Sequence, residues 1–416
     1  MPEIVSLASK IGRQLPSELV NFVRVAGELA ANQGQSLYLV GGVVRDLLLR
    51  RPNFDLDLVL EGDAINLAEQ LLQVRQGRII THRRFGTAEL QWDKWSVDLA
   101  TARSETYVEP GALPSVSPGS IEDDLFRRDF TINAMAVVLN PNRYGLLIDL
   151  YGGRDDLEHK LIRVLHENSF VDDATRIWRG LRYEQRLNFQ LGENSLKLLK
   201  RNVSMLDTIS GDRIRHELEL VLEEEFPEKV LLRAKKLKVL PKLHPALKGD
   251  DWLAEKFEQA RELSSPNSPS VGLYLALLAY RLNVKESESL ISQLRLSKAL
   301  AQILKDTHNL KAKLDWLAQP GPRPSSIYRF LHDYSLSAIT ANLLACNSLV
   351  IYQHIQFFLD KLRYIRPSLT GNDLKRMGIT PGPRIKEVLD LLHDARLDER
   401  ITTKEGEIDL VEGWVD

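Results

Sequence analysis

The run SLYLVGGVVRDLLL at residues 36–49, followed almost at once by FDLDLVL at 54–60, decides how this chain folds. SLYLV is a short buried strand, the glycine pair is a break, and VVRDLLL has helical spacing. FDLDLVL then alternates again. Strand, glycine turn, helix and strand in such short compass open a compact α/β unit with a small sheet. Further strand-like or mixed apolar runs follow at SVDLA (96–100), INAMAVVL (132–139) and GLLIDLY (145–151). Upstream, the first 35 or so residues read as helical, with Val20, Val23, Val25 and Leu29 supplying apolar positions.

Downstream of about Leu157 the strands are expected to cease. DDATRIWRGLRYEQRLNF (172–189), SLKLLKRN (195–202), GDRIRHELELVLEEE (211–225) and VGLYLALLAYRL (271–282) all carry helical periodicity. Loops are marked by SSPNSPS (264–270) and QPGPRPSS (319–326). At 416 residues the chain exceeds what one core organises, so two to four subdomains are expected. A hydrophobic share of 44% and a charged share of 27% describe an ordinary globular protein. No apolar run is long enough to span a bilayer, and MPEIVSLASKIGRQLP lacks the apolar core of a signal peptide. The single cysteine, Cys346, excludes an intramolecular disulfide and any cysteine-based zinc cluster, so a reducing, cytoplasmic location is expected. The net charge of -2 neither supports nor excludes a nucleic-acid partner, because local charge decides that.

Four constellations carry chemistry. In the first, Gly41 and Gly42 let the backbone approach a triphosphate where the helix N-terminus offers amide donors. Arg45, one turn in, can meet phosphate or sugar oxygens. Asp55 and Asp57, two apart on a strand, project from one face, with Phe54, Leu56 and Leu58 turned to the core. Two hard carboxylates side by side suit a pair of Mg²⁺ ions. Alone, such a pair is more often a solvated strand face; with the glycines and Arg45 ahead of it, the chemical reading wins. Asp98, in WSVDLA, is the best third carboxylate, and Asp93 is weaker because it adjoins Lys94 at a turn.

The second constellation is RRDFTINAMA, where one of Arg127 and Arg128 can reach a triphosphate while its neighbour forms a structural ion pair beside Asp129. Asn133, inside an apolar run, needs polar partners. In the third, Arg176, Arg179, Arg182 and Arg186 share about one third of a helix circumference. Glu184 is the only acid in those turns after Asp173. Such a stripe repels itself unless an anion or an acidic partner lies opposite. The fourth is SGDRIRHEL, with Ser210 as a helix cap and Arg213 and Glu217 as a structural i,i+4 pair.

These blocks, in this order, resemble the class II tRNA nucleotidyltransferases and their relatives the bacterial poly(A) polymerases. The likeness runs from about Ser36 to Glu217 and returns more loosely at LTGNDLKRMGITPGPRIKEVLDLLHDARLDE (369–399). It implies a polymerase-β-like α/β head with a small mixed sheet, followed by an all-α neck, body and tail. The division would be an N-terminal helical extension over 1–35, head 36–155, neck 156–225, body 226–365 and a tRNA-binding tail 366–416. The resemblance assigns Gly42, Arg45 and Arg128 to the nucleotide and Asp55 and Asp57 to metal and catalysis, and the residue reading adds Gly41 at the nucleotide and Asp98 as a further catalytic carboxylate. Asp173, Arg176, Arg179 and Arg182 match the neck motif that selects the incoming base. A carboxylate accepts from the exocyclic amine of cytosine or adenine, whereas uracil and guanine present a carbonyl there.

The implied reaction is Mg²⁺-dependent attack of an RNA 3′-hydroxyl on the α-phosphate of CTP or ATP, with tRNA as partner. Two departures bear on its extent. The neck motif here begins Asp172-Asp173 instead of Glu-Asp, and SETYVEPGALPSV (104–116) lacks the arginine that full CCA-adding members carry. Addition of all of CCA, of CC, or of the terminal A therefore stays open. A poly(A) polymerase shares every catalytic residue, and a non-catalytic RNA-binding module is the alternative of another class. No appended hydrolase motif stands out, since His393-Asp394 is isolated.

Overall fold

The computed structural model describes residues 5–74, 76–109, 111–112, 114–319 and 321–415. They form two compact units: one runs to Glu217 and includes 236–242, and the other comprises 218–235 with the chain from 243 onward.

The first unit begins with α1 (Ala8–Gln14) and α2 (Ser17–Asn32), whose Leu19, Val20, Phe22, Val23 and Ala26 recur at helical spacing and are buried. β1 (Ser36–Val40), α3 (Gly42–Leu49), β2 (Leu56–Glu61), α4 (Ala64–Val74), β3 (Arg78–His82), β4 (Thr87–Trp92) and β5 (Trp95–Thr101) follow. β6 (Arg103–Thr106) and β7 (Ser115–Pro118) form a separate antiparallel pair. Then come α5 (Ile121–Phe126), β8 (Met135–Val138), β9 (Leu147–Asp149) and α6 (Gly153–His159). Seven strands make one mixed sheet in the order β3-β4-β5-β2-β1-β8-β9. β2 and β5 run parallel, and every other neighbouring pair is antiparallel.

Alternation divides this sheet into two faces. Leu56, Leu58 and Leu60 point one way and are fully or almost fully buried, while α2 and α4 pack against the strands. Asp57 and Val59 point the other way. There α5 covers only part of the surface, with Ile121 and Leu125 packed on Tyr38, Val40, Val59, Ala136 and Val138. Farther along that face, Asp98 and Ala100 of β5 and Glu89 of β4 line a cavity.

The chain continues through β10 (Leu161–Ile162), α7 (Ser169–Asp172), α8 (Thr175–Leu187), β11 (Gln190–Leu191), α9 (Glu193–Asn202) and α10 (Gly211–Leu222). The expectation that strands end near Leu157 needs correcting. β10 and β11 pair in parallel, because the turn after α8 brings residues 190–191 back beside 161–162. Two residues each are too short to leave a periodic signal.

From α11 (Pro227–Lys236) onward all regular elements among the described residues are helical. They are α12 (Asp251–Ser264), α13 (Val271–Ala279), α14 (Val284–Gln293), α15 (Lys298–Lys311), α16 (Pro324–Leu331), α17 (Leu336–Ala345), α18 (Leu349–Asp360), α19 (Gly371–Arg376), α20 (Pro383–Leu397) and α21 (Lys404–Val415). α13 is apolar on every side and Gly272 to Ala279 are buried, with α12, α15 and α17 packed around it. A second small core, built on Leu369, Leu374, Val388, Leu392 and Val411, joins α19 to α21. No helix among the described residues is long and apolar enough to cross a membrane.

Candidate active site

The turn between β1 and α3 depends on glycine. Gly41 has φ 76° and ψ -143°, which side chains rarely adopt. A Cβ there would lie 3.0 Å from an Arg128 guanidinium nitrogen and 3.1 Å from Asp57 Oδ2. The position thus needs glycine for its backbone and for the two side chains that crowd it. α3 starts at Gly42, and its Arg45 is buried. Arg45 donates from Nε and Nη2 to the Asp46 carboxylate and from Nη1 to Asn133 Oδ1.

Strand register sets the carboxylates. Val40 on β1 is level with Asp57 on β2, Asp57 with Asp98 on β5, and Asp98 with Glu89 on β4. Asp57 and Asp98 therefore stand side by side on one face. Asp55 lies just before β2, where Asn53 Oδ1 accepts its backbone N–H at 3.0 Å. This turn corrects the expectation for Phe54. Alternation begins only at Leu56, so Phe54 is 41% exposed, edge-on to Trp95, instead of in the core. Asp93 sits at positive φ in the tight β4–β5 turn, away from these groups. Burial pushes the Asp57 carboxyl up to about 6; Asp55, Asp98 and Asp124 add to the rise while Arg128 opposes it. Burial also raises Asp98, helped by Glu89 and Asp55. A wall of mutually repelling acids that resists ionisation is the electrostatic mark of a site awaiting positive charge.

The arginine pair follows α5. Asp124, completely buried, accepts from Arg127 on one oxygen and from Arg128 on the other. Both arginines are thus braced by one carboxylate, where the sequence reading divided the roles between them. Asp124 stands three and four residues ahead of them, a helical spacing that could have revealed it. Asn133 finds the partners it needs: besides the bond from Arg45, its amide donates to Asp129 Oδ1 at 3.0 Å. Asp129 in turn pairs with Arg179 at 2.8 Å. Burial disfavours the Asp129 charge, but Arg179, the Asn133 amide, Arg176 and the Phe130 backbone N–H hold its carboxyl below the usual range.

α8 resolves the basic stripe. Arg176 is buried and donates to the carbonyl and hydroxyl of Ser169 and to the carbonyl of Arg127. Arg179 meets Asp129, and Arg182 acts with it on the buried Glu217 of α10. The acids that neutralise the stripe come from distant segments. Asp173, at the start of α8, accepts from Thr175 and from Arg213, always on Oδ1. That corrects another expectation: Arg213 pairs with Asp173 at 2.8 Å instead of with Glu217 one turn along its own helix. Across the sequence gap, Asp173 is the acid nearer the Arg213 guanidinium.

One cavity of about 1080 Å³ gathers these groups. Gly41, Gly42, Arg45, Asp55, Asp57, Asp98, Arg128, Asp173, Arg176 and Arg179 all line it. Arg182 does not; it is 7% exposed and turned into the packing around Glu217. Asp46, His82, Glu89, Tyr107 and Tyr183 also line the cavity without having been singled out from sequence. The carboxylates of Asp55, Asp57 and Asp98 offer the cavity wall oxygen donors of the kind a hard divalent cation takes. Among the described residues no three acidic or histidine side chains close on one point.

Known proteins resemble this chain over most of its length. Residues 37–163 match the family model for the poly(A) polymerase head domain, and 188–250 match that for a probable RNA and SrmB-binding site of polymerase A. The A-adding tRNA nucleotidyltransferase of Geobacter sulfurreducens is 35% identical over 98% of this chain and 48% of its own length. The A-adding enzyme of Halalkalibacterium halodurans is 31% identical over 94% of this chain and 91% of its own. This chain thus spans about half the length of the Geobacter relative and nearly all of the Halalkalibacterium one. A CCA-adding enzyme solved in an apo form superposes with a TM-score of 0.78 at 31% identity over 100% of both chains. The Thermotoga maritima CCA-adding enzyme, solved with tRNA, gives 0.74 at 30% identity, also over 100% of both. On these matches the chain belongs to the tRNA nucleotidyltransferase and poly(A) polymerase family.

Proposed function

We propose that this chain adds nucleotides to the 3′ end of tRNA and that, of the outcomes open to the family, it adds the terminal A. The observation that carries the reading is the single cavity that holds Gly41, Arg128, Asp57 and Asp98 at one wall and Asp173 and Arg176 at another. The preference for A is supported by the Geobacter and Halalkalibacterium relatives, both named A-adding.

The nucleotide triphosphate would lie against the amide groups at the start of α3 and the Arg128 guanidinium. Asp55 and Asp57, with Asp98 beside them, would hold Mg²⁺, which when bound supplies charge neutralisation for the hydroxyl and the departing pyrophosphate. The RNA 3′-oxygen then bonds to the α-phosphorus, its proton is released, and the bond to the β-phosphate breaks. Asp173 Oδ2 carries no hydrogen bond among the described residues, which leaves it to accept from the adenine amine. Arg176 keeps its Nε–H for the same base edge, while its bonds to Ser169 and Arg127 fix its direction. Arg182 has a positioning part in this scheme, steadying Glu217 behind Arg179. The head, neck, body and tail boundaries at 155, 225 and 365, and a cytoplasmic location, belong to the same proposal.

The test uses three tRNA transcripts, ending before CCA, after C and after CC, each with labelled CTP or ATP and Mg²⁺. Incorporation of one AMP on the CC end alone is expected. CMP incorporation would make it a CC- or CCA-adding enzyme, and long homopolymers from ATP would make it a poly(A) polymerase. No incorporation on any transcript would sink the catalytic reading and leave an RNA-binding module.

A further inference from the structure

The cavity has a direction. Gly41 and Arg128 gather groups suited to phosphate beside β1, and the acidic row then runs outward through Asp57, Asp98 and Glu89 to β3, the last strand of the sheet. A triphosphate at the glycine end leaves the Asp98 side to the attacking RNA. The strand that borders that side, and the turn after it, are unusual. Arg78, Ile80, His82, Arg83, Arg84 and Phe85 are all exposed. His82 also lines the cavity. Phe85 is 43% exposed, with the Arg84 guanidinium 5.6 Å over its ring. None of the ion pairs among the described residues involves Arg78, Arg83 or Arg84.

Charge on an edge strand is commonly a guard against pairing with another chain. Exposed Ile80 and Phe85 work against that purpose, so protection does not account for the whole set. Unpaired arginines interleaved with an exposed aromatic ring are what single-stranded nucleic acid requires: charge for the backbone and a face for a base.

We propose that β3 and the Arg83–Phe85 turn form the rest for the unpaired 3′ end of the RNA, with Phe85 stacking a base and Arg83 and Arg84 meeting the phosphates on either side. The assignment rests on the reading of this chain as an RNA nucleotidyltransferase. It adds that the RNA reaches Asp98 over the β4–β3 side of the sheet. With the Arg84 guanidinium 5.6 Å from the centre of that ring, a base on the free part of the ring would meet an aromatic face and a cation together.

Binding, read without turnover, tests this. Fluorescence anisotropy would compare a tRNA transcript ending in CC with the same transcript trimmed back to its paired acceptor stem. For the CC-ended transcript, Phe85→Ala weakens binding about fivefold or more, and Phe85→Trp restores it. The Arg83→Ala/Arg84→Ala double variant lowers the slope of log affinity against log salt by roughly 1.4, as two single-strand phosphate contacts should. Binding of the trimmed transcript and of ATP stays at the wild-type level. Equal losses on both transcripts, no loss on the CC-ended one, or no wild-type preference between them would each overturn the assignment. Failure of the catalytic reading is separate: it shows as intact, end-dependent binding without incorporation.

Discussion

Helices α8 and α13 are both almost wholly buried, and they use burial in opposite ways. α13 buries Gly272 to Ala279, with no charged group among them. α8 buries Arg176, Arg182 and Glu184 among Ile177, Trp178 and Leu181. Apolar burial needs only good packing, whereas a buried guanidinium must be met by carboxylates or carbonyls or it unfolds the site. α8 obtains these from Ser169, Arg127, Asp129 and Glu217. The difference separates a helix that stabilises its unit from one whose polar ties hold the border of a cavity.

The sharpest break of that contrast is Asp57→Ala. Loss of the central carboxylate should cost about a thousandfold or more in transfer rate, with an unchanged thermal transition. A rate within tenfold of wild type would remove Asp57 from the chemistry. Leu277→Ala, in the middle of α13, should do the reverse. It should destabilise by about 3–4 kcal/mol in denaturant melts while leaving ATP affinity untouched below the transition. A shift under 1 kcal/mol would show that α13 is not packed as described.

Arg179→Met probes the mixed case, because Asp129 stays buried with its main cation gone. A loss of about 2–3 kcal/mol is expected, discounted because Arg179 is partly exposed. The pH dependence follows from the depressed Asp129 carboxyl. Its contribution is present above the ordinary aspartate pKa of about 4 and disappears as pH falls through the lower folded value. The wild type should therefore lose stability on acidification more steeply than Arg179→Met; parallel curves would refute the pairing. The smallest effect is expected at Asp173→Ala. Its kcat/KM for ATP over GTP should fall by roughly tenfold, about 1.4 kcal/mol, with total activity reduced less.

The parts of the site legible in sequence are those set by neighbours in the chain. Gly41 declares itself between a strand and a helix, and Asp57 and Asp98 follow from alternation within five or six residues. Asp124 was equally local and could have been read from its spacing to Arg127 and Arg128. Phe54 misled because the pattern of FDLDLVL hides where the strand begins. The partners of α8 were invisible for a different reason. Asp129 lies 50 residues before Arg179, and Arg213 lies 40 after Asp173, so only the folded chain brings them together. The stripe on α8 announced that acids were required; it could not say which.

The parallel pairing of β2 with β5 has a consequence for how such a chain can change over time. Side chains along a strand obey parity: gaining or losing one residue between Trp95 and Asp98 would send the carboxylate through to the leucine side. A gain of two would recover the face yet miss Asp57 by roughly 7 Å. Evolution can lengthen the turns of this sheet freely, but inside β2 and β5 it is confined to swapping letters without ever shifting the count.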